Sequence, residues 1–362
     1  MIPKKHQNIA VILGTRPNFV KAAPFFRQAK NHPEFKITLI HTGQHFDKNM
    51  SKIFFEEMQI PKPDVQLDVK GEFHTEKIGK MFNALKHVLK SDNFDSVVLF
   101  GDVNSTLAGA IAAISNQYKV VHIEAGLRSH DRRMPEEINR AIVDHLSHML
   151  FTTEPSANEN LLREGVDKDK IRYVGNIMIE SLIMFRDNID KSDILQRLQL
   201  QAKSYALVTI HRQENTDSAQ SMKTILEILQ NVNKQIPILI PLHPGTQQKI
   251  IEYKLEDLLT GINIIEPLGY FDFVKLMAES KGVITDSGGI QEETTHLGVP
   301  CCTLRYNTER PITIERGTNK LFTMDLDQAE AMVKHIHTGA SQAVQIPLWD
   351  DSVSRRIFKC LK

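Results

Sequence analysis

Charged side chains that could bind a diphosphate and act on a carbon centre follow several apolar segments of this sequence. The groups that could neutralise a diphosphate are Arg16, Lys21, His211, Arg212 and His243. The carboxylates that could serve as acids or bases are Asp102, Glu124 and Glu136. Cations beside a leaving diphosphate, combined with carboxylates near a carbon centre, indicate nucleotide-sugar chemistry in which the C–O bond to the diphosphate breaks.

A phosphate site is predicted in the segment GVITDSGGIQEE, at residues 282–293. A short apolar strand over 282–285 leads through small residues into a helix over 290–297, so free backbone N–H groups and the helix dipole meet at the turn. Gly288 and Gly289 would let a phosphate approach the backbone closely. An ordinary serine-capped turn, with acidic residues that stabilise the helix, explains the same residues equally well.

The acidic candidates each have a structural alternative. Asp102 could cap a helix over 103–113. Glu124 directly follows a buried strand, where a carboxylate needs a partner, so a functional role is favoured. Glu136 and Glu137 lie at a helix start, where acids are common, and we expect at most one of them in the site.

The basic candidates have alternatives as well. Arg16 and Lys21 could be surface charges, but they flank a helix start, where cations are disfavoured, so an anionic partner is favoured. His211 could be a satisfied core histidine, whereas its place beside Arg212 at a strand end favours a phosphate contact. No single motif here is specific, but polar residues follow six strand ends, and this convergence favours one ligand cleft.

Alternating strands and helices must position these residues. Strands are predicted at 9–13, 36–41, 96–100, 119–123, 150–153, 205–210, 238–240, 263–265, 282–285 and 299–304. Helices are predicted at 18–30, 46–58, 75–90, 105–115, 134–149, 155–164, 219–232, 290–297 and 351–362. The alternation predicts an α/β fold of two Rossmann-like domains, 1–176 and 177–350, with a cleft between them.

Composition excludes several classes of protein. The 362 residues carry a formal net charge of zero, so no nucleic-acid partner is expected. No apolar run reaches membrane-spanning length, and the first one, Ile9–Leu13, is too short for a signal peptide, so we expect a cytoplasmic protein. Cys301, Cys302 and Cys360 form neither a metal spacing nor a disulfide framework. The dinucleotide fingerprint and the Walker A pattern are absent, and we expect neither a cofactor nor a metal.

Eight segments, in this order, resemble the non-hydrolysing UDP-N-acetylglucosamine 2-epimerases over nearly the whole chain. They are GTRPNFVK (14–21), TGQH (42–45), GDVNST (101–106), HIEAGLRS (122–129), PEEINR (135–140), HRQEN (211–215), TDSGGIQEE (285–293) and NTERP (307–311). The resemblance implies a two-domain glycosyltransferase-B-like fold, in which the C-terminal helix at 351–362 completes the first domain. It also implies a homodimer.

The family's site residues carry over to matching positions. The acidic catalytic residues fall on Asp102, Glu124 and Glu136, and the histidine that contacts the diphosphate falls on His211. Phosphate is held by the Ser-Gly-Gly segment, ribose by a glutamate, and uracil lies near an aromatic residue. The resemblance therefore implies that the substrate is bound by Arg16, Lys21, Phe273, Ser287, Gly288, Gly289, Glu293 and Arg310.

The resemblance implies reversible C2 epimerisation of UDP-N-acetylglucosamine to UDP-N-acetylmannosamine, feeding surface polysaccharide synthesis. UDP is eliminated across C1 and C2 to give a 2-acetamidoglucal, and UDP is then added back with protonation on the opposite face. A closed cleft keeps the intermediate from water, and a hinge near residues 176–200 is the expected device. Neither NAD nor a metal takes part.

Three departures from the family pattern bear on regulation and substrate. This chain has Asn18 where many members have glutamate. It reads QHFDKNM at 44–50, a region associated with an allosteric substrate site in bacterial members, and the difference argues against such regulation. It reads NTERPIT at 307–313 in place of the commoner TERPE, which leaves a modified UDP-2-acetamido sugar open as substrate. A hydrolysing epimerase, a glycosyltransferase of the same fold and a silent UDP-sugar-binding module remain as alternatives.

Overall fold

The protein forms two compact α/β units in the computed structural model, which describes residues 6–43, 55–69, 74–339 and 342–362. The first unit comprises Met1–Met184 with Pro347–Lys362, and the second comprises Phe185–Ile346. The predicted boundary between 176 and 177 lies directly before a helix, Ile177–Met184, that belongs to the first unit. No helix among the described residues is long and apolar enough to cross a membrane.

The first unit contains a seven-stranded, fully parallel sheet in the order β3-β2-β1-β4-β5-β6-β7. Its strands are β1 (Gln7–Leu13), β2 (Phe35–His41), β3 (Val65–Gln66), β4 (Ser96–Phe100), β5 (Lys119–Ala125), β6 (Met149–Thr152) and β7 (Ile171–Tyr173). The central strands are almost entirely apolar and buried, as expected for strands covered by helices on both faces.

The helices of the first unit cover this sheet. They are α1 (Arg16–Ala29), α2 (His74–Lys90), α3 (Asn104–Ser115), α4 (Pro135–Leu146), α5 (Pro155–Arg163), α6 (Ile177–Met184) and the C-terminal α16 (Val353–Leu361). The C-terminal helix packs against α1, where the rings of Phe358 and Phe25 lie 4.7 Å apart. The buried carboxylate of Glu180 accepts hydrogen bonds from the backbone N–H and hydroxyl of Ser354, both at 2.6 Å, and so anchors the start of α16.

The second unit contains a six-stranded parallel sheet in the order β10-β9-β8-β11-β12-β13. Its strands are β8 (Ala206–Thr209), β9 (Ile238–Pro241), β10 (Asn263–Ile265), β11 (Gly282–Thr285), β12 (Cys301–Leu304) and β13 (Asn319–Phe322). Its helices are α7 (Arg186–Asp190), α8 (Ile194–Arg197), α9 (Gln213–Thr216), α10 (Ala219–Asn233), α11 (Pro244–Glu252), α12 (Tyr270–Glu279), α13 (Gly288–Leu297), α14 (Ile312–Glu315) and α15 (Gln328–Thr338).

The alternating α/β class with two parallel sheets, predicted from the sequence, is confirmed. The strands at 96–100, 263–265 and 282–285 have the predicted bounds. The predicted helix at 46–58 and the 44–50 segment lie largely outside the described residues. Three strands were not predicted, namely β3, β7 and β13, and each lies at the edge of its sheet.

Candidate active site

Lys21 and Glu124 form a buried ion pair at the carboxyl edge of the first sheet. Lys21 projects from α1, Glu124 lies near the end of β5, and their side chains are 8% and 5% exposed. Gly101, which follows β4, adjoins the pair, since a Cβ atom at this glycine would lie 3.1 Å from Lys21 Nζ and 3.5 Å from Glu124 Oε2. The partner that a buried carboxylate at position 124 needs is therefore Lys21.

The backbone of Glu124 adopts an unusual conformation. Its φ is +72°, in the left-handed region that non-glycine residues rarely occupy, and the pairing of β5 with β6 shifts register between Ile123 and Ala125. A local bulge of this kind redirects a side chain, and such strain clusters at functional sites. The carboxylate is thus held at the sheet edge by the fold around it.

Asp102 is oriented by side chains of α4. Arg140 forms an ion pair with its carboxylate, and Asn139 Nδ2 donates to its backbone carbonyl at 2.9 Å. The helix that follows begins at Asn104 with Val103 as the N-cap residue, so Asp102 does not occupy the capping position. The carboxylate is 20% exposed, which leaves it accessible to a ligand while it is paired.

The two adjacent acids at the start of α4 have different environments. Glu137 is buried and accepts hydrogen bonds from Ser129 N at 2.9 Å, from His130 N at 3.0 Å and from Arg140 at 2.8 Å. Glu136, by contrast, is partly exposed. Glu137 therefore holds the loop at 129–130 and the Arg140 side chain in place, whereas Glu136 remains accessible to solvent.

In the second unit, Asp286 organises the turn that contains His211. This fully buried carboxylate accepts from His211 N at 3.0 Å, Arg212 N at 2.9 Å and Asn215 Nδ2 at 3.0 Å, and it lies 3.0 Å from His211 Nδ1. Burial alone would raise the pKa of Asp286, but the hydrogen bond and charge of His211, with the other donors, outweigh burial and lower that pKa. The His211 side chain is 58% exposed, so Asp286 orients the ring while leaving it accessible to a ligand.

The turn at Gly288 is lined by buried arginines. A Cβ atom on Gly288 would collide with the guanidinium of Arg310 and would lie 2.7 Å from Glu309 Oε1. Glu309 joins three arginines, because it lies 2.5 Å from Arg310, 2.8 Å from Arg305 and 3.4 Å from Arg212. Gly288 is therefore required for the close approach of Arg310, and cations surround the start of α13.

The capping explanation of this turn loses support. Ser287 occupies the N-cap position of α13, but its side chain makes no capping hydrogen bond, and the first turn of the helix contains no acid. Instead, Arg310 Nε lies 3.0 Å from Glu292, and Tyr270 donates from its hydroxyl to Glu293 at 3.0 Å. Both glutamates are thus fixed by partners from neighbouring segments.

The remaining candidates lie at strand ends or helix starts. Arg16 is the first residue of α1, and Phe273 lies in the first turn of α12, half-buried. His243 is the N-cap residue of α11, where its Nδ1 accepts from Gly245 N at 3.2 Å.

Several residues that sequence reasoning did not select complete these arrangements. On α4 they follow a helical i, i+3, i+7 spacing that places charged side chains on one buried face, and this spacing was a usable signal. In the second unit, the tertiary structure brings Tyr270 to Glu293 and Arg310 to Glu292, whereas Arg305 and Glu309 are four residues apart in sequence. The residues concerned are Glu137, Arg140, Asp144, Tyr270, Glu292, Arg305 and Glu309.

The chemistry available differs between the units. The first unit presents Asp102 and Glu124 at one sheet edge, with Arg140 and Lys21 as their cationic partners, and Glu136 in the first turn of α4. The second unit presents helix N–H groups and guanidinium groups, which suit an anion. No cluster of three or more metal-ligating side chains occurs within the described part of the chain. Proton transfer in one unit and diphosphate binding in the other are the reactions that these groups can support.

Similarity to known proteins extends over nearly the whole chain. The model of the UDP-N-acetylglucosamine 2-epimerase family matches residues 27–362. The UDP-N-acetylglucosamine 2-epimerase of Methanococcus maripaludis is 41% identical over 339 residues, which cover 90% of this chain and 92% of that protein. The UDP-2,3-diacetamido-2,3-dideoxy-D-glucuronate 2-epimerase of Pseudomonas aeruginosa is 38% identical, with 93% of each chain covered.

A solved structure shows the same likeness in three dimensions. The crystal structure of UDP-GlcNAc 2-epimerase from Methanocaldococcus jannaschii, determined in complex with UDP-GlcNAc and UDP, gives a TM-score of 0.93 at 38% identity. The match covers 98% of this chain and 99% of that chain. The glycosyltransferase-B-like fold class expected from the sequence is thereby confirmed.

Proposed function

Because the chain belongs to the UDP-N-acetylglucosamine 2-epimerase family, we propose that it interconverts UDP-N-acetylglucosamine and UDP-N-acetylmannosamine by inverting C2. The observation that carries the proposal is the pairing of two carboxylates with cations at adjacent strand ends: Glu124 with Lys21 and Asp102 with Arg140. Such pairs hold acid and base groups ready for proton transfer without a cofactor.

The reaction proceeds by elimination and addition. The C2 proton has no carbonyl beside it, so a base removes it as the C1–O bond to UDP breaks, and the electron pair of that bond leaves with UDP. The product is a 2-acetamidoglucal with a C1–C2 double bond. UDP then bonds to C1 again while an acid protonates C2 from the opposite face. Asp102, Glu124 and Glu136 supply the acid and base groups.

The second unit binds the UDP that leaves and returns. The N-terminus of α13, with Ser287, Gly288 and Gly289, holds a phosphate through backbone N–H groups, and Arg310 and His211 offset the negative charge.

Glu293 binds the ribose and Phe273 lies beside the uracil. In addition, Arg16 and His243 contact the diphosphate. Held this way, the leaving group stays bound while it is detached from the sugar.

Incubation with UDP-N-acetylglucosamine in deuterated water tests the proposal. Elimination exchanges the C2 proton through the base, so deuterium is expected at C2 of both recovered nucleotide sugars. Turnover without C2 deuterium would contradict elimination. The same proton NMR spectra separate the alternatives: free N-acetylmannosamine indicates a hydrolysing enzyme, UDP release that requires an added acceptor indicates a glycosyltransferase, and no turnover indicates a binding module.

A second candidate is C2 epimerisation of a modified UDP-2-acetamido sugar. The similarity to the Pseudomonas aeruginosa enzyme favours it, together with the NTERPIT sequence at 307–313, which contributes Glu309 and Arg310 to the Gly288 turn. A panel of UDP-2-acetamido sugars that differ at C3 and C6 decides between the candidates. A higher kcat/KM for a modified sugar than for UDP-N-acetylglucosamine would replace the first proposal by the second.

We further propose a homodimer in the cytoplasm. Exposed isoleucines on α3 and α4, namely Ile114, Ile138 and Ile142, support an apolar contact with a second copy. The free thiols of Cys301 and Cys302, both buried, fit a reducing compartment. Light scattering of the purified protein measures the oligomeric state, and a monomeric mass at micromolar concentration would overturn the dimer.

A further inference from the structure

His122 lies on β5, fully buried, beneath the turn that precedes Asp102. Its Nε2 atom is 2.7 Å from the carbonyl oxygen of Gly101, and its Nδ1 atom is 2.7 Å from Asp144 Oδ1. The ring therefore links the end of β4 to α4. Neither His122 nor Asp144 is among the proposed acid and base groups.

These two contacts fix the orientation of the ring. A carbonyl oxygen can only accept, so Nε2 carries a hydrogen, and Nδ1 faces a carboxylate oxygen across a single hydrogen bond. Arg128 lies 2.7 Å from Asp144 Oδ2, and Gly126 N donates to the same oxygen at 3.1 Å. The Asp144 carboxylate is thereby held in place on the side away from His122.

The electrostatics of Asp144 agree with this geometry. Burial alone would raise the pKa of the Asp144 carboxyl, but the hydrogen bond and charge of His122, with the charge of Arg128, outweigh burial and lower that pKa. The other charged groups nearby are themselves paired: Arg128 with Glu164, and Lys21 with Glu124 beside Gly101.

A second histidine, next to the same sheet, shows the contrasting case. His148, an exposed residue that precedes β6, accepts a hydrogen bond at Nδ1 from Val120 N at 3.1 Å, which is the contact of a neutral imidazole. Partial burial and the charges of Lys170 and Lys119 lower the pKa of His148. His148 thus accepts at Nδ1, whereas both ring nitrogens of His122 face acceptors.

The contact with Gly101 bears directly on Asp102. Gly101 adopts a φ of +63°, and its carbonyl, the group just before Asp102, is fixed by His122. The carbonyl of Asp102 is fixed by Asn139, and its carboxylate by Arg140. Hydrogen bonds thus fix the carbonyl groups before and after the Asp102 side chain, whose carboxylate is a proposed acid or base.

We propose that His122, held by Asp144, is a positioning residue that fixes the Gly101 carbonyl and thereby aims the Asp102 carboxylate at the sugar. The inference rests on the proposed function for the role of Asp102, but not for the hydrogen bonds of the ring. A displacement of about 1 Å at such a group is enough to lower a rate about 100-fold.

The hydrogen bonds of the ring are tested on the wild-type protein by ¹⁵N NMR of its histidine rings. His122 is expected to carry a hydrogen on Nε2, which faces a carbonyl oxygen, and His148 is expected to lack one on Nδ1, which accepts from Val120 N. An Nε2 atom of His122 without a hydrogen would overturn the proposal, whatever the enzyme's activity. Absence of epimerase activity in the wild type would instead overturn the proposed function and leave this measurement valid.

The positioning role is tested with His122→Phe, which keeps a planar ring and removes both hydrogen bonds, and with His122→Gln, which keeps one donor. The phenylalanine variant is expected to lose about 100-fold in kcat, with KM and UDP affinity within threefold, and glutamine is expected to recover about tenfold of that loss. His148→Gln is the matched control and should retain full activity.

A kcat within threefold of wild type in His122→Phe, or an equal loss in His122→Phe and His122→Gln, would overturn the positioning role. If His122→Phe does not fold, the NMR signature and the glutamine variant decide the outcome.

Discussion

Lys21 and Glu124 form a buried ion pair between α1 and β5, although they are far apart in sequence, and this pair joins α1 to a residue whose φ of +72° lies in the left-handed region. Neither side chain is exposed enough for solvent to replace its partner. Loss of one member leaves a buried charge alone, which costs far more than the pair itself contributes.

Lys21→Met is expected to destabilise the protein by about 3 kcal/mol and to lower kcat at least 100-fold, because Glu124 remains buried without its cation. The double variant Lys21→Met/Glu124→Leu should recover most of the stability and none of the activity. Denaturant unfolding and the epimerase assay measure the two quantities. Recovery of activity in the double variant would show that the pair is structural only.

Asp102→Asn is expected to lower kcat by about three powers of ten, since the amide keeps the shape of the carboxylate and cannot exchange a proton. UDP affinity, measured by calorimetry, should stay within threefold because the proposed UDP contacts, apart from Arg16, lie in the other unit. A comparable loss of UDP binding would indicate that Asp102 has a structural role.

Glu136 and Glu137 provide a matched pair in one helical turn. Glu137→Gln is expected to cost about 2 kcal/mol of stability, because this buried carboxylate accepts from Ser129, His130 and Arg140. Glu136→Gln should leave the unfolding free energy within about 0.5 kcal/mol and lower kcat at least tenfold. The reverse pattern, a stable Glu137→Gln with no activity loss in Glu136→Gln, would refute the assignment of Glu136 to the site.

Glu136 and Glu137 also show what local sequence cannot predict. The helix start near Pro135, and the expectation that at most one of these two acids belongs to the site, follow from the local pattern. Which of the two is buried depends on how α4 is rotated about its axis relative to the loop at 127–130, and tertiary contacts set this rotation. For the same reason Arg140 and Asp144 were not selected, although their spacing from Glu137 places all three on one face.

Some strands of the fold could likewise be predicted from the sequence, and others could not. The buried strands β4 and β11 are bounded by turn residues and could be predicted to the residue, as could the edge strand β10. The missed strands β3, β7 and β13 are edge strands too, and their extended backbone depends on pairing with a neighbour that sequence does not reveal. The sequence indicates that Gly288 and Gly289 let a phosphate approach the backbone, but it gives no sign that Arg310 occupies the space a side chain at position 288 would need.

Gly288→Ala is expected to weaken UDP binding at least tenfold, because the added methyl group displaces Arg310 and Glu309 from the start of α13. Gly79→Ala on α2 is the control, since a Cβ atom there meets no atom within 4 Å. Calorimetric titration with UDP compares the two variants with wild type. Unchanged UDP affinity in Gly288→Ala would exclude this turn as the phosphate site.

Asp286 gives a pH-dependent prediction. Its pKa is lowered in the folded protein because the hydrogen bond and charge of His211, together with the Arg212 and Asn215 donors, outweigh the opposing effect of burial. A group with a depressed folded pKa stabilises the protein above its unfolded pKa, whose ordinary value is 3.8, and loses that contribution as the pH falls through the folded value. Asp286→Asn is therefore expected to cost about 2 kcal/mol at pH 7 and progressively less as the pH falls below about 4. Urea unfolding of both proteins between pH 7 and pH 3 measures the difference, and a difference that stays constant or grows towards acid would contradict the arrangement around Asp286.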